Sequence, residues 1–242
     1  SKSRAFSNLT GIFNSFASRA NNFIIGRFLG AASLGFYTLA FRIYTMPNQF
    51  ISHVVSRVLL SSMSSVQDDN VLLKQKYLRA CAGVALFAFP LSLGLAVIAK
   101  PFVLVLYSAK WSAAIPIMAI LAPLGSVHSI SVLSGNIFIS KGRTGLWFGW
   151  GVAAACISVL SAVLGLPWGL IGVTAAYALS NLILVYVSFL ISFQLIDLKI
   201  NDLFSVLRPY FFASLAMGLI VYCARVLLEY LALPQGLILS IC

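Results

Sequence analysis

Two guanidinium groups set the chemistry of this chain. Arg19 and Arg42 lie well inside apolar segments, whereas all five acidic residues (Asp68, Asp69, Asp197, Asp202 and Glu229) fall in the breaks between segments. A cation inside a bilayer is costly, so an intramembrane Arg is first a functional residue. This pattern points to a membrane protein that handles something anionic. Polar residues accompany both cations. Asn8, Gly11, Ser15, Ser18, Asn22 and Gly26 recur every three or four positions, which is one helical face, with Asn14, Arg19 and Asn21 flanking it. Arg42, Gln49, His53 and Arg57 fall within about 80° of one another at about 100° per residue, and Pro47 between them can kink the helix. Plainer readings stand beside these. Gly, Ser and Asn stripes also serve as packing surfaces. Arg19 could pair with an acid elsewhere in a longer protein, and Arg42 could snorkel outward. Arg57 and Arg27 read as interface cations. His53 reads as a satisfied polar residue, and His128, among Ser126, Ser129, Ser131 and Ser134, as a hydrogen-bonded core histidine with a lesser chance of lining the same cavity.

Composition says what positions these groups. The chain of 242 residues is 61% hydrophobic and 9% charged, with mean hydropathy +1.01; soluble domains carry about 25% charged residues. Residues 80–99, 111–140, 144–196 and 209–224 carry no charge, and a spanning helix needs about 20 mostly apolar residues. The sequence therefore predicts an all-α, polytopic transmembrane helical bundle. Seven full spans are expected, at about residues 5–29, 34–56, 78–99, 115–140, 145–164, 170–196 and 209–224, with an incomplete eighth starting near Tyr230. Gly30, Pro101, Gly142 and the run Gly165–Gly169 punctuate the breaks. With about 1.5 Å rise per residue, Arg19 lies about 15 Å and Arg42 about 12 Å below one boundary, both near the midplane of a core about 30 Å thick. Asp68, Asp69 and Asn70 can cap a short helix, expected as an amphipathic segment on the membrane surface. The run 100–111 is too short to span, and Tyr107 and Trp111 would anchor it at the interface.

Alternate connections differ in Lys and Arg. Lys2, Arg4, Arg57, Lys74, Lys76, Arg79, Lys141, Arg143, Lys199 and Arg208 fall on one side, and Arg27, Lys100, Lys110 and Arg225 on the other. The bias predicts a cytoplasmic N-terminus. The net charge of +11 is dispersed among apolar helices, which argues against a nucleic-acid partner. Cys81, Cys156, Cys223 and Cys242 have no metal-ligand spacing and are expected as buried free thiols. No phosphate-binding glycine loop follows a strand, and no acid is placed for catalysis. The expectation is a protein that is not an enzyme and has no metal or cofactor. The chain opens close to a helix and stops inside an apolar segment, as a piece of a longer protein would.

The run Asn21-Asn22-Phe23-Ile24-Ile25-Gly26-Arg27-Phe28-Leu29-Gly30-Ala31-Ala32-Ser33-Leu34-Gly35-Phe36-Tyr37 resembles a signature of the bacterial polysaccharide flippases, in the multidrug/oligosaccharidyl-lipid/polysaccharide exporter superfamily, and most of all its colanic-acid-exporter-like branch. Ala40-Phe41-Arg42, Met46-Pro47, Leu166–Gly172 and Ala175–Ala178 are similar to that branch too. The resemblance implies the second bundle of a two-bundle transporter, with residues 1–196 as its six spans and 197–242 as additional C-terminal spans, the last one truncated. It implies flipping of undecaprenyl-diphosphate-linked oligosaccharide across the bacterial inner membrane by alternating access. Arg gives permanently charged, bidentate contacts to phosphate. Arg42 and Arg19 are then the cavity cations, and Asn22, Asn48, Gln49 and His53 the polar lining for sugar hydroxyls. The implied partners are the lipid-linked anionic oligosaccharide, membrane lipid, the missing N-terminal bundle and, further out, polysaccharide polymerase and export machinery. The rival readings are a multidrug antiporter or peptidoglycan-precursor flippase of the same superfamily, a membrane polysaccharide polymerase or glycosyltransferase, and a non-transporting scaffold.

Overall fold

The computed structural model describes residues 2–47, 49, 53–66 and 69–230, with side chains for 18–46, 49, 55–66 and 69–228. The described chain is helical throughout. Its elements are α1 (Lys2–Pro47), α2 (His53–Ser64), α3 (Asn70–Val97), α4 (Ala99–Leu106), α5 (Ala114–Ser140), α6 (Thr144–Gly165), α7 (Gly169–Gln194) and α8 (Ile200–Tyr230). Five runs are long and apolar enough to cross a membrane, and the protein is a multi-pass membrane protein. Two of those runs are broken inside.

The first break is Gly30, at φ 86° and ψ 165°, a region that side-chain-bearing residues essentially do not enter. It divides α1 into a first arm (residues 2–29) and a second arm (31–47). Leu34 lies so near Gly26 that a Cβ there would sit 3.1 Å from Leu34 Cδ2. In a straight helix these residues would stand about 12 Å apart, so the chain doubles back at Gly30. The second break is the 3₁₀ turn Leu166–Trp168, followed by Gly169 at φ 66°. The breaks expected at Gly30 and at 165–169 thus both occur, and dividing the two runs there matches the seven expected spans. The expected eighth lies outside the described residues.

Two apolar clusters sit towards opposite ends of the bundle. One joins Ile25, Tyr37, Ile43, Tyr44, Val103, Ile117, Leu121, Ala162, Val173 and Tyr177 near the two breaks. The other joins Met63, Leu73, Tyr77, Cys81, Val84, Leu133, Ile137, Phe193 and Leu203 near the α5–α6 turn. Helices α3 and α5 pack through the second cluster, and α8 leans chiefly on α3.

Two expectations need correction. The segment after Asp69 is not a separate surface helix, because Asn70–Val97 runs on as one helix. Leu73 and Tyr77 are fully buried, and Tyr77 shares a 3.1 Å hydrogen bond with Ser134 of α5. Leu73 and Tyr77 therefore face protein, while Val71 and Leu72 stay exposed. The cysteines are not uniformly buried either: Cys81 is, but Cys156 and Cys223 are exposed, because an apolar segment meets lipid on one side and protein on the other. Of the helix expected over 34–56, residues 34–47 and 53–56 are helical, and the residues between them, Gln49 apart, lie outside the described residues. The run 100–111 is short as expected: α4 is followed by one 3₁₀ turn, Ala109–Trp111, and Trp111 meets Phe36 edge-on at 5.7 Å.

At the α5–α6 end, polar groups tie three connections together. Lys141 Nζ donates to Asn70 Oδ1 at 2.7 Å, and Asn70 Nδ2 donates to Asp197 Oδ2 at 2.8 Å. Asp69 caps α3 as the sequence predicts, its carboxylate accepting from the Val71 and Leu72 amides at 2.9 and 3.0 Å. Replacing Asp69 with alanine strips that cap and is expected to cost about 1 kcal/mol, read as a lower unfolding temperature of the full-length protein in detergent.

Candidate functional site

Between the two apolar clusters lies a cavity of about 740 Å³, lined by residues of α1, α5, α6 and α7 and by Gln49. Both arms of α1 reach it, because the reversal at Gly30 brings Ser18, Asn21 and Asn22 of the first arm to the level of Thr38, Phe41, Arg42 and Thr45 of the second. Asn21 is nearly buried, and its Nδ2 donates to Ser158 Oγ of α6 at 3.0 Å, fixing the first arm against α6. Its Oδ1 has no hydrogen-bond partner.

Arg42 is the one formally charged residue in this lining among the described residues. It is exposed, and no described carboxylate lies within ion-pair distance of it. The threonines on either side cannot share its role as donor. Thr38 Oγ1 donates to the Leu34 and Gly35 carbonyls at 2.8 and 3.0 Å, and Thr45 Oγ1 to the Phe41 and Arg42 carbonyls at 3.1 Å. What they offer the cavity is lone pairs. An anion at this level is therefore met by a permanently charged fork, and a hydroxyl-rich group by acceptors.

Aromatic rings form much of the remaining wall. Phe41 is the hub, with centroid distances of 5.7 Å to Tyr37, 5.3 Å to Tyr44 and 5.7 Å to Tyr177. Tyr44 stands 5.8 Å from the ring of His128. The face of α6 presents Trp147 and Trp150, then Gly151, Ala154, Ala155 and Ser158; Asn181 and Ser188 come from α7.

Arg42, Asn22 and Gln49 thus line one cavity, and His128 joins them there. Arg19 is exposed and is not part of the lining. At about 100° per residue, it lies about a quarter-turn round the helix from Ser18, off the face that Ser18, Asn21 and Asn22 present. Asn48 and the side chain of His53 lie outside the described residues, as do the side chains of Asn8, Asn14 and Ser15. Arg57 is exposed on α2 away from the cavity, while its neighbour Ser56 packs on α5 by accepting from Asn136 Nδ2 at 2.8 Å. Sequence reasoning did not find Trp147, Trp150, Ser158, Tyr177 or Asn181. The available signal was Asn181, the polar amide deepest within the charge-free stretch 144–196.

Known proteins resemble this chain in sequence and in fold. Residues 6–116 match the family described as "Polysaccharide biosynthesis protein". The chain is 27% identical over 238 residues to the teichuronic acid biosynthesis protein TuaB of Bacillus subtilis (strain 168), covering 98% of this chain and 49% of that protein. It is 27% identical over 181 residues to the lipopolysaccharide biosynthesis protein WzxC of Escherichia coli (strain K12), covering 74% and 37%. It is 29% identical over 99 residues to the succinoglycan biosynthesis transport protein ExoT of Rhizobium meliloti (strain 1021), covering 41% and 20%. The chain spans about half the length, or less, of the curated relatives it matches. Among solved structures it superposes on the lipid II flippase MurJ in its inward closed conformation with a TM-score of 0.74 and 18% identity, over 88% of this chain and 46% of that one. That likeness is one of fold.

Proposed function

We propose that this chain, a polysaccharide-flippase-type member of the multidrug/oligosaccharidyl-lipid/polysaccharide exporter superfamily, forms one wall of the pathway by which the full-length protein carries a lipid-linked oligosaccharide from one membrane leaflet to the other. The observation that carries this reading is the cavity itself: among the described residues, one guanidinium near mid-depth, no carboxylate, and a wall of amides, hydroxyls and aromatic rings. A diphosphate links sugar to lipid in such substrates, and Arg42 matches its charge and geometry. An exporter of cationic drugs would be better served by a carboxylate, and a polymerase by an acid–base pair.

In this reading residues 1–196 act as the second of two bundles, rocking against the other bundle by alternating access, and residues 197–242 are additional spans. The bundle lies in the bacterial inner membrane with its N-terminus in the cytoplasm, as the Lys and Arg bias supports. The protein is a transporter and not an enzyme, and polymerase and export machinery receive what it delivers. The test is leaflet translocation of lipid-linked oligosaccharide by the full-length protein in proteoliposomes, with empty vesicles as baseline. Translocation above that baseline is expected. None at all would sink the flippase reading and return weight to the drug-export and polymerase alternatives.

A further inference from the structure

We propose that Trp147 and Trp150 form a carbohydrate platform, offset from Arg42 towards the α5–α6 end, which grips the sugar nearest the anionic link. This rests on the flippase reading above. The two indoles stand three residues apart on α6, so they share a face, and both line the cavity. The next residues on that face, Gly151 and Ala154, are too small to cover them.

The other rings of the lining are engaged with one another: Tyr37, Phe41, Tyr44, Tyr177 and His128 make a connected set. Among the described residues no ring pairs with Trp147 or Trp150, and neither indole N–H donates to a protein acceptor. Both are half-buried. Trp147 rests against Gly135 of α5, since a Cβ there would meet its Cζ2, Cε2 and Nε1 at 3.4, 3.6 and 3.7 Å. A steadied flat apolar surface with a free N–H at its edge suits a group that has a C–H face and a hydroxyl rim, which is a pyranose.

Depth assigns the order of the subsites. Counted at about 1.5 Å per residue from the breaks, Arg42 lies about 18 Å in from Gly30. Trp150 and Trp147 lie about 23 and 27 Å in from Gly165 by the same count. Ser188 of α7 and Gln49 line the cavity at the tryptophan level and can complete the hydroxyl contacts. A sugar bonded directly to an anion held at Arg42 would reach the platform.

The experiment measures equilibrium binding to the full-length protein in nanodiscs with two probes, a polyprenyl diphosphate and the same lipid carrying one glucose. The wild type is expected to bind the glycosylated probe roughly tenfold more tightly. In the Trp147→Ala/Trp150→Ala double variant that preference should vanish while the bare diphosphate binds as before, which also reports an intact fold. The Trp147→Phe/Trp150→Phe variant should restore part of it. Equal affinity of the wild type for both probes, with translocation intact, would overturn the platform and leave the flippase reading standing. Equal loss of both probes in the alanine variant would assign the indoles to packing and also overturn it. Failure of the wild type to bind either probe or to translocate would take down both readings.

Discussion

Arg42→Ala is expected to reduce leaflet translocation of lipid-linked oligosaccharide by the full-length protein roughly a hundredfold, at matched expression. The size follows from the surroundings of Arg42. It is the sole charged group in the lining among the described residues, and the neighbouring threonine hydroxyls have spent their hydrogens on backbone carbonyls. Without it, a diphosphate would cross a cavity of neutral polar groups and aromatic rings with its charge unmatched. Arg42→Lys keeps the charge but not the planar fork, so partial activity is expected. Full activity in both variants would make Arg42 an interface anchor. Arg19→Ala provides the contrast. It removes a cation of similar depth from a side chain outside the lining, and translocation should change little.

The second large effect concerns the turn between α6 and α7. A Cβ on Gly165 would lie 2.6 Å from Val173 Cα and 2.7 Å from the Gly172 carbonyl oxygen. One on Gly172 would lie 2.4 Å from Trp168 Cβ and 2.6 Å from the Gly165 carbonyl oxygen. Carbon atoms rest about 3.5–4.0 Å apart, and these neighbours are backbone or fixed to it, so the helices must part. Gly165→Ala and Gly172→Ala should each destabilise by about 2–4 kcal/mol, despite the better helix propensity of alanine. Thermal unfolding of the full-length protein in detergent reads this, with Gly149→Ala as control because nothing lies within 4 Å of that site. The two glycines meet each other, so the double variant should cost less than the two losses added. An unchanged midpoint in both single variants would mean that the turn relaxes freely.

Much of this architecture was legible in the order of residues. Charge-free stretches fix where helices run, and Gly30 and Gly165–Gly169 fix where they turn. The resemblance to polysaccharide flippases is likewise borne out by the relatives. The α3 segment differs from its expectation because an amphipathic period tells that a stripe is covered, not whether lipid headgroups or another helix covers it; Leu73 and Tyr77 are buried in a protein cluster, Tyr77 against α5. In the cavity, Arg42, Asn22 and Gln49 stood out because a polar side chain in an apolar segment asks for a reason. Trp147 and Trp150 did not, since an indole facing a cavity and one facing lipid look alike in composition. Arg19 and Ser18 are adjacent in sequence, and only the rotation of the helix separates a lining residue from one outside.

The four helices that line the cavity do not include α8, which leans chiefly on α3. That makes α8 a natural seat for a reporter. Cys223 is already exposed on it, so once Cys156 and Cys242 are exchanged for serine, a maleimide dye at that position would travel with the bundle. Paired with a second dye on the opposing half of the full-length protein, it would turn the proposed rocking of two bundles into a distance followed in single molecules, with every cavity side chain left as it is.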